Sequence, residues 1–514
     1  MKNKKGRYTY AILFALYFAV HFLFLKSPVF DTDEEDITLA GKAIARGFVL
    51  YREYTSQHMP VSYYVSAVFE FLGAHSIYAQ RIMFYIFFSA MWVLIYKIYK
   101  KDFNSKALAV YPFIFMCEIC SYEYGGAVLS EHLAGIGMVI LLLEFLRFRN
   151  LKELSWQQMV LICVAVLLTF GTMFVTAFSV AVIVLGVFIK ELSDIRNDKK
   201  TGRDLKMKER VISLGKLVGI TVAPWVVYVI YLALIGNLSL FIYSAYTMNR
   251  TIYPKYLGSF SNGILGSVAE SFSTGFGSLA GNRNISNIVV IVGFIAFVTY
   301  LAYVKKRYVD SVITLMLVVI CGGTRGMFAF HGSHSVELLC LTTALFFFEV
   351  CYGKLCDRSK AGIISIMLTT FCIIAVVTPA TSFLSYLSGT EERVQKPIVS
   401  LIKEITDEDE GIWMCSTDND LFQECDRVPV YGISLSPWWY EAQHERVLET
   451  LGDDPPRICI LDVGYTVWGY QSDEYAAEMI QYVHEHYTQL TCAESGTRVY
   501  VRNDMIDTIP EQYR

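Results

Sequence analysis

Apolar runs long enough to cross a bilayer recur along this chain of 514 residues, and few folds accommodate that pattern. They lie at about 8–25, 78–99, 107–121, 130–146, 212–235, 287–304 and 361–379. Two longer runs, 155–189 and 309–352, are interrupted near Gly171-Thr172 and from Thr324-Arg325 to Ser335. Each reads as two passes joined by a tight bend, which brings the expected total to about eleven membrane helices. A composition that is 54% apolar and 18% charged, with mean hydropathy +0.41, is too apolar for a water-soluble protein of this length.

Basic residues give the orientation, because short loops rich in Lys and Arg stay cytoplasmic. Lys2, Lys4, Lys5 and Arg7 precede the first span, and Lys97, Lys100, Lys101 and Lys106 follow the second. Arg147, Arg149 and Lys152, the stretch Lys190 to Lys216, the group Lys305-Lys306-Arg307, and Lys354, Arg358 and Lys360 all fall on the same side. The reading is a multi-pass protein of the cell membrane with a cytoplasmic N-terminus and an extracytoplasmic C-terminal domain. The first span is long for a signal core and no small-residue cleavage site follows it, so it reads as a retained helix. The net charge of −4 averages over segregated charges and calls for no nucleic-acid partner.

From about Thr390 the composition becomes that of a soluble domain. Gly411 to Cys415, Arg457 to Leu461 and Arg498 to Val501 read as strands, with helices at Trp438 to Leu451 and Glu474 to His486. The expected division is a membrane domain over 1–385, with outer loops at 27–77 and 236–286, and a small extracytoplasmic α/β domain over 386–514. Cys415, Cys425, Cys459 and Cys492 lie in the exported domain, where three pairings are open. Trp438, Trp439 and Tyr440 read either as packing at a helix start or as sugar-stacking or membrane-contact residues. The loop 236–286 carries Arg250, Tyr253, Lys255 and Tyr256, which suit a lid over a phosphate.

Directly after the first span comes an acidic cluster, Asp31, Asp33, Glu34, Glu35 and Asp36, followed by Gly47, Tyr51, Tyr54, His58, Pro60, Tyr63 and Tyr64. Glu35 and Asp36 suit the start of a helix, where negative charge is favourable. Asp31 and Asp33 precede that helix and are the better functional carboxylates. The order Asp33-Glu34, then Gly47 with Tyr51, then His58-Met59-Pro60 with Tyr63, resembles the first outer loop of the GT-C superfamily of membrane glycosyltransferases. The likeness is greatest to bacterial relatives of protein O-mannosyltransferases and of lipid A aminoarabinose transferases. Arg81 matches a recurring arginine of that group, Ser130-Glu131-His132 opens the fourth helix where relatives place an acid, and Gly332 to Ser335 resembles a His-Tyr element. Met59 replaces one proline of the usual pair, Ser335 replaces the tyrosine, and the lysine of many relatives is missing around Thr172 to Thr176.

The resemblance implies a GT-C-like α-helical membrane fold and a hexosyl- or pentosyltransferase. The sugar would pass from a polyprenyl-phosphate carrier to a glycan, lipid or protein acceptor at the outer membrane face, by inverting displacement. A hydroxyl acceptor is a poor nucleophile and needs a carboxylate to take its proton, so Asp33 is the expected base, with Asp31 and Glu34 beside it. The departing lipid phosphate calls for cations. His58, Arg81, Arg250, Lys255, Arg325 and His334 are the candidates, with Tyr63 and Glu131 as further substrate-binding residues. A divalent metal fits the chemistry without being required by it, and Glu131 could orient the acceptor or such a metal. The alternatives are a transporter or flippase of a lipid-linked sugar, which needs intramembrane acids such as Glu118, Glu144 or Glu337, a polysaccharide polymerase, and a scaffold with an exported binding domain. Because all proposed catalytic residues precede it, the C-terminal domain is expected to be dispensable for the chemical step.

Overall fold

The computed structural model describes residues 2–25, 32–121, 127–257, 285–323, 333–351, 397–408, 410–415, 420–430, 436–453, 455–462, 464–491 and 497–514. Its main helices, in chain order, are α1 (Lys2–Phe22), α2 (Thr32–Ala45), α3 (Val61–Phe71), α4 (Ile77–Tyr99), α5 (Ser105–Ser121), α6 (Ser130–Arg147), α7 (Trp156–Thr169), α8 (Ala177–Thr201) and α9 (Met207–Leu234). They continue with α10 (Ile285–Thr299), α11 (Tyr308–Gly323), α12 (Ser333–Phe346), α13 (Pro397–Ile405), α14 (Asp420–Cys425), α15 (Pro437–Asp453) and α16 (Ala477–His486). Contacts divide the chain into two compact units. The first comprises Met1–Val29, Arg81–Tyr231 and Ser259–Ser388, and the second Phe30–Gln80, Leu232–Gly258 and Gly389–Arg514.

The first unit is the helical membrane body. Among the described residues three helical stretches are long and apolar enough to cross a bilayer, Ile77–Tyr99, Phe174–Thr201 and Met207–Leu234, with shorter apolar helices beside them. On α9 the side chains of Val218, Val222, Val226, Val227, Ile230 and Leu234 are exposed, an apolar surface that water disfavours and lipid accepts. The run 155–189 does form two helices. Ser155 and Gln158 close a capping box at the start of α7, and the chain turns through Phe170 to Thr176 before α8. The expected span at 361–379 lies outside the described residues.

In the second unit a five-stranded sheet has the order β2-β1-β3-β7-β6, built from β1 (Ile412–Cys415), β2 (Pro429–Val430), β3 (Ile458–Asp462), β6 (Tyr487–Gln489) and β7 (Thr497–Arg502). β1 runs parallel to both β2 and β3, whereas β7 is antiparallel to β3 and to β6. A separate hairpin joins β4 (Thr466–Val467) to β5 (Tyr470–Gln471). The three strands and two helices expected from the sequence are present; β2, β6 and the hairpin are too short to show a period. The core combines Trp413, Cys459 and Tyr500 of the sheet with Trp438, Trp439, Tyr440, Val447 and Leu451 of α15 and Met479 and Val483 of α16. Trp438, Trp439 and Tyr440 are thus packing residues. Cys425 is a buried free thiol, and Cys459 is buried in the sheet.

The described start of the expected outer loop 236–286 is instead a run of short helical turns from Leu238 to Leu257, and its Met248 and Ile252 enter this same core. The first outer loop joins the unit too. Lys42 of α2, almost wholly buried, forms an ion pair with Asp426, Arg46 reaches the same carboxylate at 3.1 Å, and Gln423 donates to Thr38 at 3.1 Å. Asn237 donates to the Leu50 carbonyl and Asn249 to that of Gln57, both at 2.7 Å.

Helices α2 and α3 pack tightly at Gly41, where an added Cβ would lie 2.8 Å from the carbonyl carbon of Ser66. Backbone cannot yield as a flexible side chain does. Gly41→Ala is therefore expected to destabilise the second unit by about 1–3 kcal/mol through overpacking, despite alanine's better helix propensity. A thermal melt of the purified protein in detergent checks this, and an unchanged or raised melting temperature contradicts it.

Candidate active site

The spacing of glycine, tyrosines, histidine and proline in the first outer loop has a local physical cause at each step. Helix α2 ends at Ala45, and Gly47, with φ of 96°, lets the chain reverse so that the Phe48 amide reaches the Ala43 carbonyl. Tyr51 also takes a positive φ, 72°, which is costly for an L side chain. Its ring is fully buried, packs 5.2 Å from Phe241, and donates its hydroxyl to the His58 carbonyl at 2.9 Å. The strain is tolerated because those contacts fix the backbone of His58. Pro60, preset near helical φ, then starts α3.

Asp36 is the hub of the loop. Tyr54 donates to its Oδ1 at 2.8 Å and Tyr63 to its Oδ2 at 2.5 Å. The Tyr63 hydroxyl is also in contact with Ser56 Oγ, and His58 Nδ1 lies 3.1 Å away. His58 Nδ1 is 3.9 Å from Asp36 Oδ2. With a proton on Nδ1, these groups form a chain in which His58 donates to Tyr63 and Tyr63 donates to Asp36. Burial pushes the phenols of Tyr51, Tyr54 and Tyr63 well above their usual pKa, so they remain protonated donors.

Asp33 and Glu34 occupy the first turn of α2. Glu34 is fully buried and Asp33 is half-buried. Asp33 precedes Asp36 by three residues, which places both on one face of the helix. Arg250 is exposed and donates to the Tyr246 hydroxyl at 2.8 Å. Lys255 pairs with Glu441, which also accepts from Tyr256 at 2.6 Å. All of these belong to the second unit. Asp31 and Arg325 lie outside the described residues, and so does the side chain of His334.

Arg81 and Glu131 belong to the first unit. Arg81 is fully buried and donates to the Leu25 carbonyl at 3.0 Å, satisfying the chain just after α1. Glu131 is buried in the first turn of α6. Glu144 accepts from Tyr99 at 2.7 Å and Glu337 from the Trp92 indole at 2.9 Å, so both acids of the transporter reading have partners, while the Glu118 side chain lies outside the described residues. A pocket of about 600 Å³ lined by Arg147, Arg149, Asn150, Gln158 and Arg307 sits at the opposite end of α6 from Glu131. Among the described residues no group of three His, Cys, Asp or Glu side chains is placed to hold a metal ion.

No protein-family model and no curated protein matches the sequence. Solved structures do. ArnT from Cupriavidus metallidurans bound to undecaprenyl phosphate aligns with a TM-score of 0.56 at 11% identity, over 95% of this chain and 97% of that one. The apo state of the same protein gives 0.55 at 10% identity, over 96% and 98%. This protein shares their overall fold. The archaeal oligosaccharyltransferase AglB from Archaeoglobus fulgidus, in complex with an inhibitory peptide and a dolichol-phosphate, gives 0.49 at 12% identity, over 99% of this chain and 76% of that one.

Within this fold, Asp36 and Tyr54 are the residues whose part the sequence reading missed. Asp36 was assigned to favourable charge at a helix start, yet both carboxylate oxygens are taken by tyrosines far along the loop. The available signal was the set of tyrosines at 51, 54 and 63, which need buried acceptors if they turn inward.

Burial pushes the Asp36 carboxyl from 3.8 up to about 6, against the pull of the Tyr63 and Tyr54 hydrogen bonds. Between those values the native state holds a proton that the unfolded chain has lost, so this group's contribution to stability declines as pH rises from 3.8 through about 6. Above that window the cost is at most about 3 kcal/mol, and less in practice because the side chain keeps 19% exposure. Asp36→Asn removes the titration. Its melting temperature is expected to vary less over this window than the parent's, and parallel profiles would show that Asp36 is not the titrating group.

Proposed function

We propose that the protein transfers a hexose or pentose from a polyprenyl-phosphate donor to an acceptor at the extracytoplasmic face of the membrane. The observation that carries this reading is the Asp33-Glu34 pair in the first turn of α2, one turn before the Asp36 hub that fixes His58 and Tyr63. It is supported by the fold shared with ArnT, which binds undecaprenyl phosphate. The acceptor oxygen attacks the anomeric carbon from the face opposite the phosphate. The bond from that carbon to the phosphate oxygen breaks, the phosphate leaves on its lipid, and the acceptor's proton passes to Asp33. Arg250, exposed in the same unit, supplies positive charge for the phosphate. Asp36 acts as a positioning residue, since both of its oxygens are occupied.

The test uses the full chain in nanodiscs with polyprenyl-phosphate-linked hexoses and pentoses, and a membrane extract as acceptor. Mass spectrometry follows release of polyprenyl phosphate and inversion at the transferred sugar. Consumption of a donor with inversion is expected. If no donor is consumed, or if lipid-linked sugar only changes leaflet, the transferase reading falls.

A further inference from the structure

The β4–β5 hairpin carries an aromatic residue where turn chemistry disfavours one. Val467 pairs with Tyr470, which leaves Trp468 and Gly469 as a two-residue loop. Their φ values, 51° and 90°, are those of a type I′ turn. Asn-Gly is the favoured pair in such a turn, and a bulky residue at the first position adopts the left-handed region at a cost. Packing compensates only in part at the hairpin tip, since Trp468 is 54% exposed and Tyr470 is 40% exposed.

These two rings cap a continuous aromatic cluster. Trp468 lies 5.1 Å from Trp438, Tyr470 lies 5.1 Å from Tyr256, and Tyr253 stands edge-on to Trp438 at 5.3 Å. The Trp438 indole N–H is buried with no acceptor among the described residues, although a buried indole N–H ordinarily has one. Glu441, Lys255 and the Tyr256 hydroxyl provide hydrogen-bonding groups beside the rings. Exposed rings flanked by polar groups match a pyranose, whose axial C–H face is apolar and whose rim is hydroxylated.

A membrane headgroup layer is the other surface that attracts tryptophan and tyrosine. Charge argues against it. From Gly464 to Glu474 the chain has Asp473 and Glu474 and no basic residue, and Lys255 is neutralised by Glu441, so an anionic lipid surface would be repelled.

We infer that the exposed rings of Trp468 and Tyr470, backed from beneath by Tyr256 and the core residue Trp438, form a carbohydrate-binding subsite for a neutral pyranose chain. It binds by ring stacking and performs no chemistry. The inference goes beyond the donor reading and survives its failure, because saccharide binding is measured without turnover.

The informative variant is Trp468→Asn. It places the preferred residue in the type I′ turn while deleting the ring, so folding is maintained or improved and only binding suffers. The full chain in nanodiscs of zwitterionic and anionic lipids is titrated with cellohexaose, maltohexaose and chitohexaose, read by saturation-transfer NMR and tryptophan fluorescence. At least one oligosaccharide is expected to bind, about tenfold or more weakly in Trp468→Asn and in Tyr470→Ala, with an unchanged or higher melting temperature for Trp468→Asn. Binding unaffected by both variants overturns the assignment, and so does failure of all three oligosaccharides to bind. Quenching of Trp468 by brominated lipid, identified by its loss in Trp468→Asn, overturns it in favour of membrane contact.

Discussion

Asp33→Asn is expected to lower sugar transfer by about 10²–10⁴-fold, the range ordinarily supplied by a positioned general base. The side chain is half-buried in the first turn of α2, where an amide of almost the same shape fits the same space. What is lost is a proton acceptor and a negative charge at a helix N-terminus, the latter worth roughly 0.3–1 kcal/mol. The melting temperature should therefore move little while the rate collapses. Asp36→Asn is the counterpart: it disturbs the tyrosine bonds that hold His58, so it should alter stability and its pH dependence together with activity. A parent-like rate for Asp33→Asn removes the base from this residue, and Asp31→Asn is the next variant to assay.

The legible part of this molecule was whatever follows from period and length. Apolar runs marked the helices, the interruption at Gly171-Thr172 marked the bend between α7 and α8, and β1, β3 and β7 were legible because buried strands are dense in apolar residues. Strands of two or three residues carry no such signal, so β2, β6 and the β4–β5 hairpin were invisible. In the first outer loop the sequence marked an acidic cluster but not the carboxylate on which the tyrosines converge. Charge at a helix start and a buried acceptor are the same residue type, and only the inward turn of Tyr54 and Tyr63 tells them apart at Asp36. For Trp438 and its neighbours the sequence left packing and a surface role both open, because aromatic residues at a helix start look the same whether they face solvent or a sheet. The Lys42–Asp426 pair joins residues far apart in the chain, which no local pattern announces.

That pair changes the expectation that the C-terminal domain is dispensable for the chemical step. Removing the chain after residue 395 takes away the carboxylate facing Lys42 and Arg46, the Gln423 contact to Thr38, and the core that receives Met248 and Ile252. Donor turnover should be lost with acceptor transfer, because α2 carries Asp33; a truncated chain that still consumes donor would restore the separable domain. Truncation can also fail by unfolding, so the point substitution Asp426→Ala gives the sharper result. Burial holds the pKa of Lys42 below its ordinary value, and Asp426 offsets only part of that shift. Without that carboxylate the ammonium is buried and uncompensated, a defect of about 3–5 kcal/mol for a fully buried pair; Asp426 keeps 51% exposure, so about 2 kcal/mol is expected. The native state then binds fewer protons than the unfolded chain, so the variant should regain stability as pH rises toward 10.5, the ordinary lysine value, whereas the parent should change less. Adding Lys42→Met to Asp426→Ala replaces the stranded charge with an apolar side chain of similar length and should recover most of the lost melting temperature and turnover. If the double variant is no better than Asp426→Ala alone, the ion pair does not hold α2 in place.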